Sequence, residues 1–314
     1  MNKLNNIRKK LKGSIYTVFT FFKKDGKVDY NSTEKYLNFL NKNNADVFYV
    51  MPYNSRYSQL REKEIFELNN FCIEKVKSFK NKLIIVSDAI HGPTSLSMEY
   101  CHAAKEKGAD IFASICREKF FSEKQIYNHY LEINSCKMPL LIHSMPFLSG
   151  YNSKNFNWPI SLLIKISKLK NVIAMKEDTQ DPLYAKKLLK QMKNKISIIF
   201  AGRMDYFLKI KKYGFETYLN GSSIIDPKID MIFLELLNLK NADKLKRFVK
   251  DIDDPFWNII VKKYGWHRVN KAAIEAKLNL KRYERPPMIS LSESQFQDIK
   301  KWVKKLEKDF KKWL

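Results

Sequence analysis

One lysine in this sequence stands where a side-chain amine could act as a nucleophile. Lys176 ends the apolar run Val172-Ile173-Ala174-Met175 and is followed by Glu177 and Asp178. If that run is a strand covered on both faces, its terminal lysine is stripped of water. Desolvation disfavours the ammonium and lowers its pKa, which an amine needs before it can attack a carbonyl near neutral pH. The imine formed in this way is an electron sink that stabilises a carbanion beside it. Position alone leaves a second reading open, a lysine that merely leaves the strand end for solvent.

The element that must carry Lys176 is one of eight. Short apolar runs recur at Ser14 to Thr20, Asp46 to Met51, Leu83 to Val86, Asp110 to Cys116, Pro139 to Met145, Val172 to Met175, Ile196 to Phe200 and Thr217 to Leu219. Most lack alternation, the mark of parallel strands buried on both faces. Helical stretches separate them, such as Ser95 to Lys107, closed by Gly108 where a C-cap glycine belongs. This succession predicts an α/β fold, a (β/α)8 TIM barrel, although the pattern also admits an open doubly wound sheet. Beyond Pro227 the chain reads as helices, and Phe296, Ile299, Val303, Leu306 and Phe310 mark an amphipathic one. One domain is expected, with a basic extension over residues 1–12, the barrel over 13–226, and the last barrel helix with a C-terminal helical segment over 227–314.

Barrels of this kind carry their chemistry at the C-terminal strand ends. The residues there are Thr20, Tyr53 and Asn54, Asp88, Cys116 and Arg117, His143 and Ser144, Lys176, Gly202 and Arg203, and Asn220 to Ser222.

Composition narrows the function classes. Hydrophobic residues make up 45% of the 314, enough to fill a large core. Lys plus Arg total 58 against 33 Asp plus Glu, a formal net charge of +25. The lysines are spread over the polar faces of helices rather than gathered into a groove, so no nucleic-acid partner is expected. Cys72, Cys101, Cys116 and Cys136 have no C-x-x-C spacing, so neither a zinc site nor a disulfide framework is expected, and a reducing, cytoplasmic location fits. His91, His102 and His129 show no metal-ligand pairing with a carboxylate, and neither a metal nor any other cofactor is expected. No apolar run is long enough to span a membrane.

Several motifs, in order along residues 13 to 306, resemble those of the dihydrodipicolinate synthase and N-acetylneuraminate lyase family. Thr20-Phe21-Phe22 with Asp25-Gly26-Lys27-Val28-Asp29 is similar to that family's T-P-F and D-G-x-V-D, and Gly108-Ala109-Asp110 to its G-A-D. Lys176-Glu177-Asp178-Thr179-Gln180-Asp181 resembles the K-E-x-S-G-D run whose lysine forms the imine. Gly265-Trp266-His267-Arg268 and Glu284-Arg285-Pro286-Pro287-Met288 are similar to the helical tail of several members. The resemblance implies a barrel, a Schiff base at Lys176 and a dimer of dimers.

The departures are informative. The family's G-T-T-G-E, which holds the substrate carboxylate, is replaced by Pro52-Tyr53-Asn54-Ser55-Arg56. Asn54, Ser55 and nearby amides could still donate to a carboxylate; Arg56 reads as an anion partner or as a solvated loop residue. The relay tyrosine of Y-N-x-P becomes His143 in His143-Ser144-Met145-Pro146, whose ordinary pKa of about 6.5 suits proton transfer near neutrality. The alternative is a hydrogen-bonded core histidine. Cys116-Arg117-Glu118 stands where a second tyrosine would be, and Leu148 where the synthases have an arginine. Pro146-Phe147-Leu148-Ser149-Gly150 is closer to the P-A-L-S-G of the neuraminate lyases.

The expected activity is therefore that of an aldolase- or synthase-type lyase on pyruvate or another 2-oxo acid. A sugar-acid-like substrate is expected rather than that of a standard dihydrodipicolinate synthase. Lys176 and His143 are the expected catalytic residues, and Thr20, Tyr53, Asn54, Ser55, Gly202 and Leu219 the substrate-binding ones. A sugar-acid dehydratase using the same lysine and a non-catalytic barrel homologue are the alternatives.

Overall fold

In a computed structural model that describes residues 3–50, 53–55, 57–89, 91–115, 121–145, 157–239 and 241–314, eight parallel strands close into a barrel. They are β1 Gly13–Thr17, β2 Val47–Val50, β3 Leu83–Ser87, β4 Ile111–Ser114, β5 Leu140–Ser144, β6 Val172–Glu177, β7 Ser197–Gly202 and β8 Thr217–Asn220. Each pairs with the next, and β8 returns to β1 through Gly13↔Thr217, so no sheet edge is left. The open doubly wound sheet is thereby excluded.

Helices α2 Tyr30–Lys42, α3 Glu62–Lys77, α4 Thr94–Glu106, α5 Glu123–Asn134, α6 Ile160–Ile166, α7 Pro182–Met192, α8 Met204–Ile210 and α9 Lys228–Asn238 follow the strands in turn, after an initial α1 Lys3–Lys10. Their starts are written locally. Asp29 accepts from Ser32 N at 3.1 Å to cap α2, and Asp181 accepts from Leu183 N at 2.8 Å to cap α7, whose first residue is Pro182.

Side-chain parity explains the two cores. Successive strand residues point to opposite faces. Ile15, Val47, Tyr49, Leu83, Ile85, Ile111, Ala113, Leu141, Ile199, Ala201 and Leu219 therefore fill the barrel, with Ile7 and Leu11 of the N-terminal segment joining the same cluster. Phe48, Val50, Ile84, Val86, Phe112, Ile142, Met175 and Phe200 face outward to the helices. On β6, Ala174 belongs to the interior and Met175 to the outer layer, so Lys176 points in and Glu177 out. The strand also runs through Glu177, placing Lys176 inside it rather than at its end. β1, by contrast, stops at Thr17, short of the expected Thr20.

After α9 the chain forms α10 Ala242–Phe248, two π-helical stretches, Val249–Asp253 and Phe256–Val261, then α11 Trp266–Leu278 and α12 Glu293–Phe310. The expected stripe on α12 is buried. The tail is tied to the barrel mouth by Lys271, whose buried Nζ donates to Thr20 O at 2.7 Å, and is braced within itself by His267 Nε2, 2.8 Å from Glu284 Oε1. Arg285 forks onto both Glu64 oxygens at 2.7 Å.

Two further buried carboxyls fasten the end of β8. Asp230 accepts from Ser14 Oγ and Ser223 Oγ, and burial pushes it up to about 7. Asp253 accepts from Ser222 Oγ and Met204 N, both at 2.8 Å, and burial pushes it up to about 6. A carboxyl raised above the ordinary aspartate value of about 3.9 stabilises the fold while protonated, and that contribution fades as pH climbs through the raised value. Asp230→Asn, which keeps the shape without the charge, should therefore melt higher than the parent at pH 8 and lose most of that advantage at pH 5. The size expected is roughly 2–4 °C per kcal/mol relieved. Calorimetry at both pH values checks this, and a difference that ignores pH contradicts it.

Candidate active site

The inward turn of β5 and β6 brings two side chains from adjacent strands together. His143 pairs in register with Lys176, and Lys176 Nζ stands 3.1 Å from His143 Nε2. Asp178 follows two residues on, the spacing that returns an extended chain to the same face. Lys176 Nζ donates to both Asp178 oxygens at 2.5 Å, and His143 Nε2 lies 2.9 Å from Asp178 Oδ2. Behind the imidazole, Tyr49 Oη on β2 is 2.9 Å from His143 Nδ1. The lysine side chain is 1% exposed, the histidine 0% and the aspartate 8%.

These exposures decide the electrostatics. Burial alone would raise the Asp178 carboxyl, but the Lys176 charge and the His143 imidazole beside it outweigh it and draw it down to about 2. Glu177, turned outward, feels the reverse balance: burial dominates and lifts it to about 7 against hydrogen bonds from Thr179 and Tyr206. Tyr206 Oη reaches Glu177 Oε2 at 3.2 Å and Thr179 N donates to Oε1, so this carboxyl anchors the loop that carries Asp178.

The other expected residues are placed around this cluster. Thr20, Asn54 and Ser55 are buried and come together, but their side chains join the β1 and β2 ends to each other. Thr20 Oγ1 donates to Ser55 O at 2.6 Å, Ser55 Oγ to Val18 O at 2.8 Å, and Asn54 Nδ2 to Thr17 Oγ1. Tyr53 is half-buried, packs on the barrel-interior cluster and stacks on Trp266 at 6.1 Å. Leu219 is part of the interior wall. Gly202 has φ +154°, and a Cβ there would come within 3.0 Å of Gln180, so glycine lets that side chain close over β7. Arg56, Cys116, Arg117 and Leu148 lie outside the described residues.

Tyr49 and Asp178 were missed from sequence. Parity along β2 makes Tyr49 inward with Val47, and the Lys-x-Asp spacing was the available signal for Asp178. The buried amine expected at Lys176 is present, together with a counter-charge that the sequence reading did not include. His129 joins Ser114 Oγ at 2.9 Å and Thr94 Oγ1 at 3.0 Å, and among the described residues no group of metal-ligating side chains converges.

Fold and site together define a (β/α)8 barrel with an amine, an imidazole and a carboxylate within hydrogen-bond reach at the strand ends, where such barrels perform chemistry. The profile of the Dihydrodipicolinate synthetase family matches residues 10–306, and the chain belongs to that family. It is 28% identical over 205 residues to a 4-hydroxy-tetrahydrodipicolinate synthase of Clostridium perfringens, covering 65% of this chain and 67% of the relative. Its fold matches YagE, a prophage protein of the dihydrodipicolinic acid synthase family from E. coli K12 solved with pyruvate, at TM-score 0.82, 18% identity and coverage of 94% and 98%. It also matches N-acetylneuraminate lyase from Mycoplasma synoviae at TM-score 0.80, 18% identity and coverage of 94% and 97%.

Removing one partner of a buried ion pair strands the other, at a cost of about 3–5 kcal/mol, whereas removing both is far milder. Lys176→Met and Asp178→Asn should each destabilise the protein by that order, and the double variant should recover much of the loss. Denaturant titrations of the four proteins check this. Strictly additive losses contradict the pairing.

Proposed function

We propose that this chain is a class I lyase in which Lys176 forms an imine with pyruvate or another 2-oxo acid. The observation that carries the reading is the buried Lys176 nitrogen at the barrel mouth, 3.1 Å from the nitrogen of His143. The amine attacks the keto carbon, water leaves, and the iminium draws electrons from the bond beta to it. His143 carries the proton exchanged when that bond is made or broken, in the place of the family's relay tyrosine. The family match and a structural neighbour solved with pyruvate support this substrate class.

A hydroxylated, sugar-acid-like partner fits better than the second substrate of a dihydrodipicolinate synthase, because Leu148 stands at the synthase arginine's place in the sequence. A small-molecule substrate, assembly as a dimer of dimers and a cytoplasmic location belong to the same reading. No described helix is long and apolar enough to cross a membrane.

Borohydride treatment with a panel of 2-oxo acids should add one reduced adduct to the intact mass, mapped to Lys176. His143→Phe should still give the adduct on long incubation, while turnover of a sugar acid falls about a hundred- to ten-thousandfold, mainly in kcat. Adducts scattered over surface lysines, or persisting in Lys176→Ala, contradict the imine; unchanged turnover in His143→Phe contradicts the relay.

A further inference from the structure

The geometry points to Asp178 as a further catalytic residue: paired with His143, it enables the imidazole to take the proton from Lys176 and then balances the charge of the iminium. This rests on the reading of Lys176 as the imine former. In the family-like run Lys176 to Asp181 the third position is open, so the resemblance assigns Asp178 no part.

Three distances make the case. His143 Nε2 is 2.9 Å from Asp178 Oδ2 and 3.1 Å from Lys176 Nζ, so a proton crosses from amine to imidazole directly. Both Asp178 oxygens lie 2.5 Å from Nζ, so the carboxylate touches the nitrogen that reacts. Tyr49 Oη, 2.9 Å from Nδ1, fixes the ring from the far side. Glu177, the neighbouring acid, faces Tyr206 in the outer layer instead.

Proton affinities decide which of the two partners is the base. The Lys176 charge keeps the Asp178 carboxyl in its anionic form, whereas an imidazole ordinarily titrates near 6.5 and exchanges protons near neutrality. His143 is the acceptor, and Asp178 supplies the negative charge that makes an imidazolium tolerable in a buried place.

The step balances. With the neutral ring protonated on Nδ1, toward Tyr49 Oη, the bare Nε2 takes a proton from Lys176 and as imidazolium donates it toward Asp178; the amine lone pair bonds to the keto carbon, and the carbonyl π pair moves to oxygen, which takes the proton back from the imidazolium. A second proton passes from nitrogen to His143 and on to the hydroxyl. The C–O bond breaks and water leaves. The iminium holds the one positive charge that the ammonium brought, and Asp178 faces it throughout.

The test is the rate of imine formation with pyruvate, read by quenching with borohydride at intervals and measuring intact mass. Asp178→Asn should lower the maximal rate at least about a hundredfold, with little change in the half-saturating concentration, and Asp178→Glu should fall in between. If Asp178→Asn does not fold, Asp178→Glu decides alone. One added methylene displaces the carboxylate from Nε2 and should cost at least about tenfold in the maximal rate. A maximal rate within about threefold of wild type in a folded variant, or a loss confined to half-saturation, overturns the role of Asp178 and leaves the imine standing. No adduct on wild-type Lys176 sinks the imine reading, and this one with it.

Discussion

An ammonium sealed from water needs a negative charge against it, and in this barrel Asp178 supplies that charge to Lys176 across 2.5 Å. The pairing fixes more than two side chains. It sets the lysine nitrogen opposite His143, whose ring is held between Asp178 and Tyr49. It also requires the loop after β6 to turn back toward the mouth, which Glu177 secures from the outer layer through Thr179 and Tyr206. Three consecutive residues thus alternate in direction, Lys176 and Asp178 facing the mouth and Glu177 turned outward as an anchor.

The outer layer does comparable work at β8. Asp230 and Asp253 lie between that strand, β1, α8 and the C-terminal helices, and each is wrapped by hydroxyl or amide donors. Burial raises both, whereas the Lys176 charge lowers Asp178 despite the same burial. The same residue type thus titrates in opposite directions according to whether a cation is within reach. The C-terminal helices close the assembly by reaching the barrel mouth with Lys271 and Trp266, giving the tail a direct structural link to the candidate site.

Much of this was legible in the sequence because parallel barrel strands, covered on both faces, are written as continuous apolar runs. A lysine or histidine in such a run is conspicuous, which is why Lys176 and His143 could be singled out. That they stand on neighbouring strands was legible too; that they pair in register was not, since this comes from the β5–β6 register with its shift at Leu140/Leu141. Asp178 escaped because an acid just past a strand resembles an ordinary loop residue until the backbone direction is known. The roles expected of Asn54 and Ser55 assumed side chains free for a ligand. A sequence does not show that Asn54 Nδ2 already reaches Thr17 and Ser55 Oγ the Val18 carbonyl.

The central claim is that the Lys176 nitrogen bonds covalently to a keto carbon while His143 and Asp178 attend it. A crystal structure of the protein soaked in pyruvate and reduced with borohydride addresses this directly. The account predicts unbroken density from Lys176 Nζ to the former carbonyl carbon, with His143 Nε2 and an Asp178 oxygen within hydrogen-bond distance of that nitrogen. Pyruvate bound without a link to Lys176, or attached elsewhere while Lys176 stays on Asp178, would contradict it.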